Sequence, residues 1–308
     1  MEGLVYKSTG SWYVVTDIAG NTWNARIKGK LKIDDEISST NPIAAGDNVI
    51  FDIEDEQVRT AIITGIKDRH NYMVRVSPHN INLKHIIAAN IDIAIIVASV
   101  ADPRTSTGFI DRFLLTAEAY HIPSVLVVNK IDLLKAKHTD ILEQWKEIYG
   151  LAGYEVFPVI AKDKSTLSAV ADRIKNKTTL ISGHSGVGKS TMINQLVPGK
   201  GIKTKEVSGW SGKGQHTTTF AEMFDLPGGG RIIDTPGVKE FGLIDFEKEE
   251  LSQYFPEMRA VMKHCRFNNC LHINEPGCAV KQAVIDKSIS EARYVSYVAI
   301  LESIEKKY

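Results

Sequence analysis

The chain lacks an excess of either charge: its 308 residues carry 37 Lys and Arg against 37 Asp and Glu. That excludes attachment to nucleic acid or anionic lipid through overall charge, so any such partner must be met by local patches or by shape. Cysteine is scarce, three in all, and an odd count in a chain without a secretion signal argues against a disulfide framework. Long apolar runs are also missing. The longest, residues 91–100, is interrupted by Asp92 and is too short to span a bilayer. Residues 1–15 have neither the basic start nor the apolar stretch of a signal peptide. No internal repeat or low-complexity tract occurs. What remains is expected to be a cytoplasmic, membrane-free globular chain, 43% apolar and 24% charged, long enough for two or three domains. A monomer is expected.

Three modules follow one another. Residues 1–71 alternate short β-rich runs (3–8, 12–17, 22–27, 47–53, 59–66) with turns such as Thr9-Gly10-Ser11 and Ala19-Gly20-Asn21. Five such strands predict an OB-like β-barrel. Residues 72–242 alternate apolar β-runs (91–99, 124–129, 155–161, 178–182, 220–226, 231–234) with helical stretches (109–120, 139–149, 165–175, 189–196), the pattern of a mainly parallel α/β sheet. Residues 243–308 read as helix, a Cys/His-rich loop, then helices over 279–286 and 290–306. Only the middle module is net basic, with 20 Lys and Arg against 16 Asp and Glu; the first carries 8 against 11 and the last 9 against 10.

Gly183-His184-Ser185-Gly186-Val187-Gly188-Lys189-Ser190, followed by Thr191, lies between an apolar strand and a helix, the context a phosphate-binding loop requires. Its glycines let backbone N–H groups face phosphates at a helix N-terminus. Lys189 then reaches the β- and γ-phosphates and Ser190 holds Mg2+. Asp234-Thr235-Pro236-Gly237 ends the next strand, where the Asp acts on Mg2+ through water and the Gly237 N–H meets the γ-phosphate. Between them, Gly212-Lys213-Gly214-Gln215-His216-Thr217-Thr218-Thr219 reads as a switch, with Thr218, or Thr217 as the second choice, closing on Mg2+ and the γ-phosphate.

A phosphate loop serves ATPases, kinases and GTPases alike, so the base must be read elsewhere. Asn129-Lys130-Ile131-Asp132 closes the strand at 124–128. Asp132 there accepts from guanine N1–H and its exocyclic amine, whereas adenine presents a lone pair, a mismatch of roughly 1–3 kcal/mol or more. Lys130 lies along base and ribose, and Asn129 ties the base loop to the phosphate loop. Ala161-Lys162 is expected to give a backbone N–H to the guanine oxygen, although Ile160 stands where GTPases usually carry Ser. These motifs occur in rotated order, base loop before phosphate loop, which implies a circularly permuted P-loop GTPase domain; the strands still have to meet in one sheet. The residue after the DTPG element, where many GTPases carry a water-orienting Gln, is Val238. His216 is the expected replacement once a partner orders its loop.

All three cysteines, Cys265, Cys270 and Cys278, fall within fourteen residues, with His272 among them. Three thiolates and an imidazole suit one structural, tetrahedral Zn2+ with no open position.

Together these features resemble the ribosome small-subunit-dependent GTPases, the RsgA (YjeQ/YloQ) family. The likeness rests on the barrel, the order NKID, GHSGVGKS, GQHTTT, DTPG, the valine after DTPG, and CRFNNCLHINEPGC. It implies GTP/GDP and Mg2+ as ligands, the small ribosomal subunit and its rRNA as partners, and turnover stimulated by that subunit late in its assembly. The strip Arg26, Lys28, Lys30 and Lys32 is the candidate rRNA contact of the barrel. Segment 241–246, directly after the DTPG element, is expected to couple loss of the γ-phosphate to the C-terminal module. A P-loop ATPase or small-molecule kinase is disfavoured by NKID. A non-catalytic RNA-binding adaptor is disfavoured by the intact Lys189, Ser190 and Asp234.

Overall fold

The computed structural model describes residues 1–27, 42–76, 84–199, 201–202, 220–235 and 246–305. Strands β1 (Glu2–Ser8), β2 (Tyr13–Asp17), β3 (Thr22–Ile27), β4 (Asn48–Asp55) and β5 (Thr60–Ile66) pair in the order β1-β2-β3-β5-β4, and β4 returns to β1. Only the β3–β5 pairing is parallel. Alternate residues of each strand point inward, so Val5, Tyr13, Val15, Trp23, Phe51 and Ile63 fill the barrel. Asp17 closes the β2–β3 turn, accepting from the amides of Ala19 and Asn21 and from the Trp23 indole.

A hairpin of β6 (Tyr72–Val76) and β7 (Lys84–Ala89) follows, a feature the strand pattern did not reveal. The apolar run of β7 continues in sequence into that of β8 (Ile93–Ala98). Asn90, at φ 55°, breaks the two apart; its side chain donates to Gly46 O and accepts from His70 N.

The central layer then alternates strand and helix: α1 (Thr107–Ala119), β9 (Ser124–Val128), α2 (Ala136–Leu151), β10 (Glu155–Pro158), α3 (Ser168–Ile174), β11 (Thr178–Gly183), α4 (Lys189–Leu196), β12 (Glu222–Asp225) and β13 (Arg231–Asp234). The sheet order is β10-β9-β8-β11-β13-β12, parallel except for β12. Strand β8 is buried along its whole length because both faces are covered. Ala94, Ile96 and Ala98 face one core with Phe113 of α1 and Trp145 of α2, while Ile93, Ile95 and Val97 face another with Ile174 and Met192. Strand β12 also pairs with β1 at Lys7↔Glu222, where the side chains form an ion pair of 2.8 Å, so sheet and barrel are continuous.

The C-terminal module holds α5 (Pro256–Val261), α6 (Ala279–Ile285) and α7 (Glu291–Glu305) around Leu251, Phe255, Val280, Tyr297 and Leu301, and Leu115 of α1 belongs to the same core. Among the described residues no helix is long and apolar enough to cross a membrane.

Candidate functional site

Because β8, β9, β10, β11 and β13 run parallel, the residues that follow them all emerge at one edge of the sheet, the edge where open α/β folds bind ligands. The base motif follows β9, Ala161 follows β10, the phosphate loop follows β11, and Asp234 ends β13. Asn129, 2% exposed, joins three of these. Its Nδ2 donates to Val187 O at 2.7 Å and its Oδ1 accepts from Ala161 N at 2.8 Å. The next loop residue, Gly188, has φ 98°, and a Cβ there would stand 2.2 Å from Asn129 Nδ2, so glycine is required both by conformation and by the side chain crossing over it. Gly183 meets the same limit against Val97 O, at 2.3 Å.

Lys189 begins α4 and is buried, its Nζ donating to the loop carbonyls of Gly183 at 3.0 Å and His184 at 3.3 Å. Burial pushes its pKa below the ordinary lysine value, and the Asp234 carboxylate opposes that shift. Asp234 is 2% exposed. The neighbouring Thr235 fixes its strand end, giving both its N–H and its hydroxyl to Ile181 O. Ser190 and Thr191 are half-buried in the first turn of α4, and Ser185 and Gly186 are exposed at the loop tip.

On the base side Lys130 takes the left-handed conformation, φ 66°, and Asp132 lies exposed in a short 3-10 turn, Ile131–Leu133. Lys130 Nζ donates to Asp102 O, and burial lowers its pKa against the opposing charges of Asp102 and Asp132. The Ala161 N–H expected at the guanine oxygen is engaged by Asn129, and the neighbouring Lys162 is exposed. Thr166 braces this strand end, its hydroxyl accepting from Ile160 N at 3.0 Å.

Two clefts, of about 390 and 460 Å³, open at the other edge of the sheet around Asp92, Thr178 and Arg231. They hold none of the motif residues and no glycine-rich loop leading into a helix, so they are not the phosphate site.

In the C-terminal module the ligand atoms of Cys265, Cys270, His272 and Cys278 all lie within 4.8 Å of one another. His272 Nδ1 stands 3.6 Å from Cys265 Sγ and 3.4 Å from Cys278 Sγ. Cys265 Sγ accepts from Ala279 N at 3.3 Å and Cys278 Sγ from Lys281 N at 3.4 Å. Burial pushes the Cys270 thiol up to about 12 and lowers the His272 imidazole. Three crowded thiols beside a neutral imidazole become compatible when one dication draws all four lone pairs inward, so the residues fit Zn2+.

A family model described as RsgA GTPase matches residues 66–244, and one described as RsgA N-terminal domain matches residues 2–62. The chain belongs to the RsgA GTPase family. Among relatives bearing the name small ribosomal subunit biogenesis GTPase RsgA, that of Christiangramia forsetii is 47% identical across all of this chain and 98% of its own. That of Flavobacterium psychrophilum is 49% identical across all of this chain and 94% of its own. Of solved structures, YjeQ from Thermotoga maritima matches with a TM-score of 0.77 at 30% identity, covering 98% of this chain and 97% of that one. YloQ, a circularly permuted GTPase, matches with 0.74 at 29%, covering 100% and 96%.

Within this RsgA-family chain the sequence-derived elements divide cleanly. The base loop, phosphate loop, Asp234 and the Cys3His set are each placed as described above, whereas His216, Thr218, Gly237, Val238, Lys28, Lys30, Lys32 and segment 241–245 lie outside the described residues. Arg26 of the candidate rRNA strip pairs with Glu54. Sequence reasoning missed Thr166 and Phe109, whose ring stacks on His184 with centroids 3.7 Å apart. No motif announces either residue; only the fold brings Phe109 to the loop.

Replacing Asn129 with Ala leaves the Val187 carbonyl and the Ala161 N–H unpaired in a buried place, a cost of about 1–3 kcal/mol per group. Affinity for GDP is expected to fall by about 10- to 100-fold. An unchanged Kd in a binding titration of the folded variant would show that the tie does not shape the site.

Proposed function

We propose that the chain hydrolyses GTP during assembly of the small ribosomal subunit, with turnover raised by that subunit. The observation that carries this reading is Asn129 between Val187 and Ala161, since it makes one site out of motifs that occur in inverted order. In this reading Asp132 selects guanine, Lys130 and the Ala161–Lys162 edge flank the base, and the loop 183–190 with Thr191 cradles the phosphates through backbone N–H groups. Lys189 turns from the carbonyls that hold it now to the β- and γ-phosphates. Ser190 and Thr218 hold Mg2+, with Asp234 acting through water and Gly237 meeting the γ-phosphate. Bound Mg2+ supplies charge neutralisation at the phosphates. Val238 leaves the attacking water without a side chain to orient it, and His216 takes that role on the subunit.

The three functional units are 1–71, 72–242 and 243–308, the first meeting rRNA through the barrel and the last stabilised by Zn2+. The relatives' name, which specifies small-subunit biogenesis, supports the partner. The chain acts in the cytoplasm as a monomer.

The test is GTP and ATP hydrolysis with and without purified small ribosomal subunits. GTP turnover that rises with subunits and an ATP rate at background are expected. Asp132→Ala is expected to lower the preference for GDP over ADP by about 10- to 100-fold, and His216→Ala to remove the stimulation while leaving GDP binding intact. Equal use of ATP would favour a general P-loop ATPase, and RNA binding with no turnover an adaptor. Full stimulation of His216→Ala would remove that residue from the reaction.

A further inference from the structure

Helix α1 touches both the phosphate loop and the Cys3His module. Near its start, where the Ser106 side chain caps the helix by accepting from Phe109 N, Phe109 stacks on His184 of the phosphate loop with an interplanar angle of 26°. Two residues on, Asp111 accepts from Arg293 of α7 at 2.7 Å, and the same guanidinium donates to Glu257 at 2.7 Å. Leu115 and Glu118 extend the contact, one packing in the C-terminal core and the other pairing with Arg259 at 3.2 Å.

Helix α7 is in turn bound to the metal-ligand loop. Tyr294 donates to His272 O at 2.6 Å and Tyr297 to Leu271 O at 2.8 Å. Arg293, Tyr294 and Tyr297 sit within about one helical turn, so the segment that grips α1 is the segment that grips the metal loop.

We infer that Phe109 is a positioning residue for the phosphate loop, and that through it α1 carries the nucleotide state of that loop to α7 and the Cys3His module. The inference rests on the reading of residues 183–190 as the nucleotide site. It adds a second route to the one sought in the segment after Asp234, built from packed helices. A helix is stiff along its axis, and Phe109 and Asp111 are separated by about 3 Å of rise, so a movement of the helix at the stack carries the ion triad with it. Phe109 is 6% exposed, and its ring holds the loop at the residue whose carbonyl accepts from Lys189. A loop that closes on phosphates must take this carbonyl with it.

The test uses the full chain as purified, with GDP as the probe, and reads two quantities: GDP affinity, and hydrogen exchange of the α7 amides with and without GDP. In the wild type and in Phe109→Tyr, which keeps a ring for the stack, GDP is expected to slow α7 exchange about fivefold or more. Phe109→Leu, which keeps apolar volume and loses the ring, is expected to weaken GDP binding severalfold and to abolish the effect on α7. Should Phe109→Leu fail to fold, His184→Ala removes the stack from the other side and must give the same loss. Persistence of the GDP effect in either folded variant, or its absence in a wild type that binds GDP, overturns the inference. A wild type that does not bind GDP overturns the nucleotide-site reading along with it.

Discussion

Stripping the metal from the Cys3His cluster is expected to unfold α6 and the parts of residues 265–278 on either side of the Glu275 turn. A structural Zn2+ contributes on the order of 10 kcal/mol of apparent folding free energy at neutral pH, comparable to the total of about 5–15 kcal/mol that holds a domain together. The local structure has little to set against that loss. Cys278 is the N-cap of α6, its sulfur accepting from Lys281 N, and Cys265 accepts from Ala279 N. His272 adopts φ 60°, an unfavourable region for a non-glycine residue. Without the dication the Cys270 thiol, raised to about 12 by burial, stays protonated, and nothing offsets the crowding of the thiols on His272 Nδ1. What survives is the turn held by Glu275, which accepts from the amides of Leu271, Ile273 and Asn274, together with the two tyrosine bonds from α7. The measurement is zinc content by elemental analysis alongside hydrogen exchange of α6, before and after a chelator. One zinc per chain with slow exchange, then none with fast exchange, is expected. Unchanged α6 protection in metal-free protein would assign the cluster another role.

Much of this molecule was legible from residue order because its strongest signals are local. The five barrel strands alternate with a period of two between polar turns, and each lies within about two residues of its expected position. The helix at Lys189–Leu196 begins where the phosphate loop ends, since the loop glycines fix both. What escaped was set by tertiary contact. The β6–β7 hairpin hid because the break at Asn90 depends on bonds to Gly46 and His70, which come from elsewhere in the chain. The helical stretch expected at 165–175 proved to be a 3-10 turn, Lys164–Leu167, followed by Ser168–Ile174, because Asp163 caps it early by accepting from Ser165 N. Neither Phe109 nor Arg293 belongs to a motif, and each gains its role only from what the fold sets against it.

Arg293→Met is expected to destabilise the junction between the GTPase and C-terminal modules by about 3–5 kcal/mol, the usual penalty for removing one member of a buried ionic group. Arg293, Asp111 and Glu257 are 1%, 1% and 8% exposed. The guanidinium reaches Glu257 through both Nε and Nη2 and Asp111 through Nη1, with its Cζ 4.6 Å from the Phe255 ring centroid. Burial alone disfavours its charge, but the two carboxylates outweigh that and hold its pKa above the ordinary arginine value. Methionine fills the space among Phe255, Tyr149 and Tyr154 yet leaves two carboxylates without a counter-charge. Lysine is expected to recover only part of the loss, because a single ammonium lacks the planar fork that serves both partners. The triple change Arg293→Met, Asp111→Leu, Glu257→Leu is expected to regain most of it, since removing all the charges removes the desolvation cost with them. Chemical denaturation followed by exchange at α7 separates the cases. A single Arg293→Met within about 0.5 kcal/mol of wild type, the range of an ordinary surface substitution, would mean that the apolar contacts of Leu115, Phe255 and Tyr297 hold the two modules together without the ions.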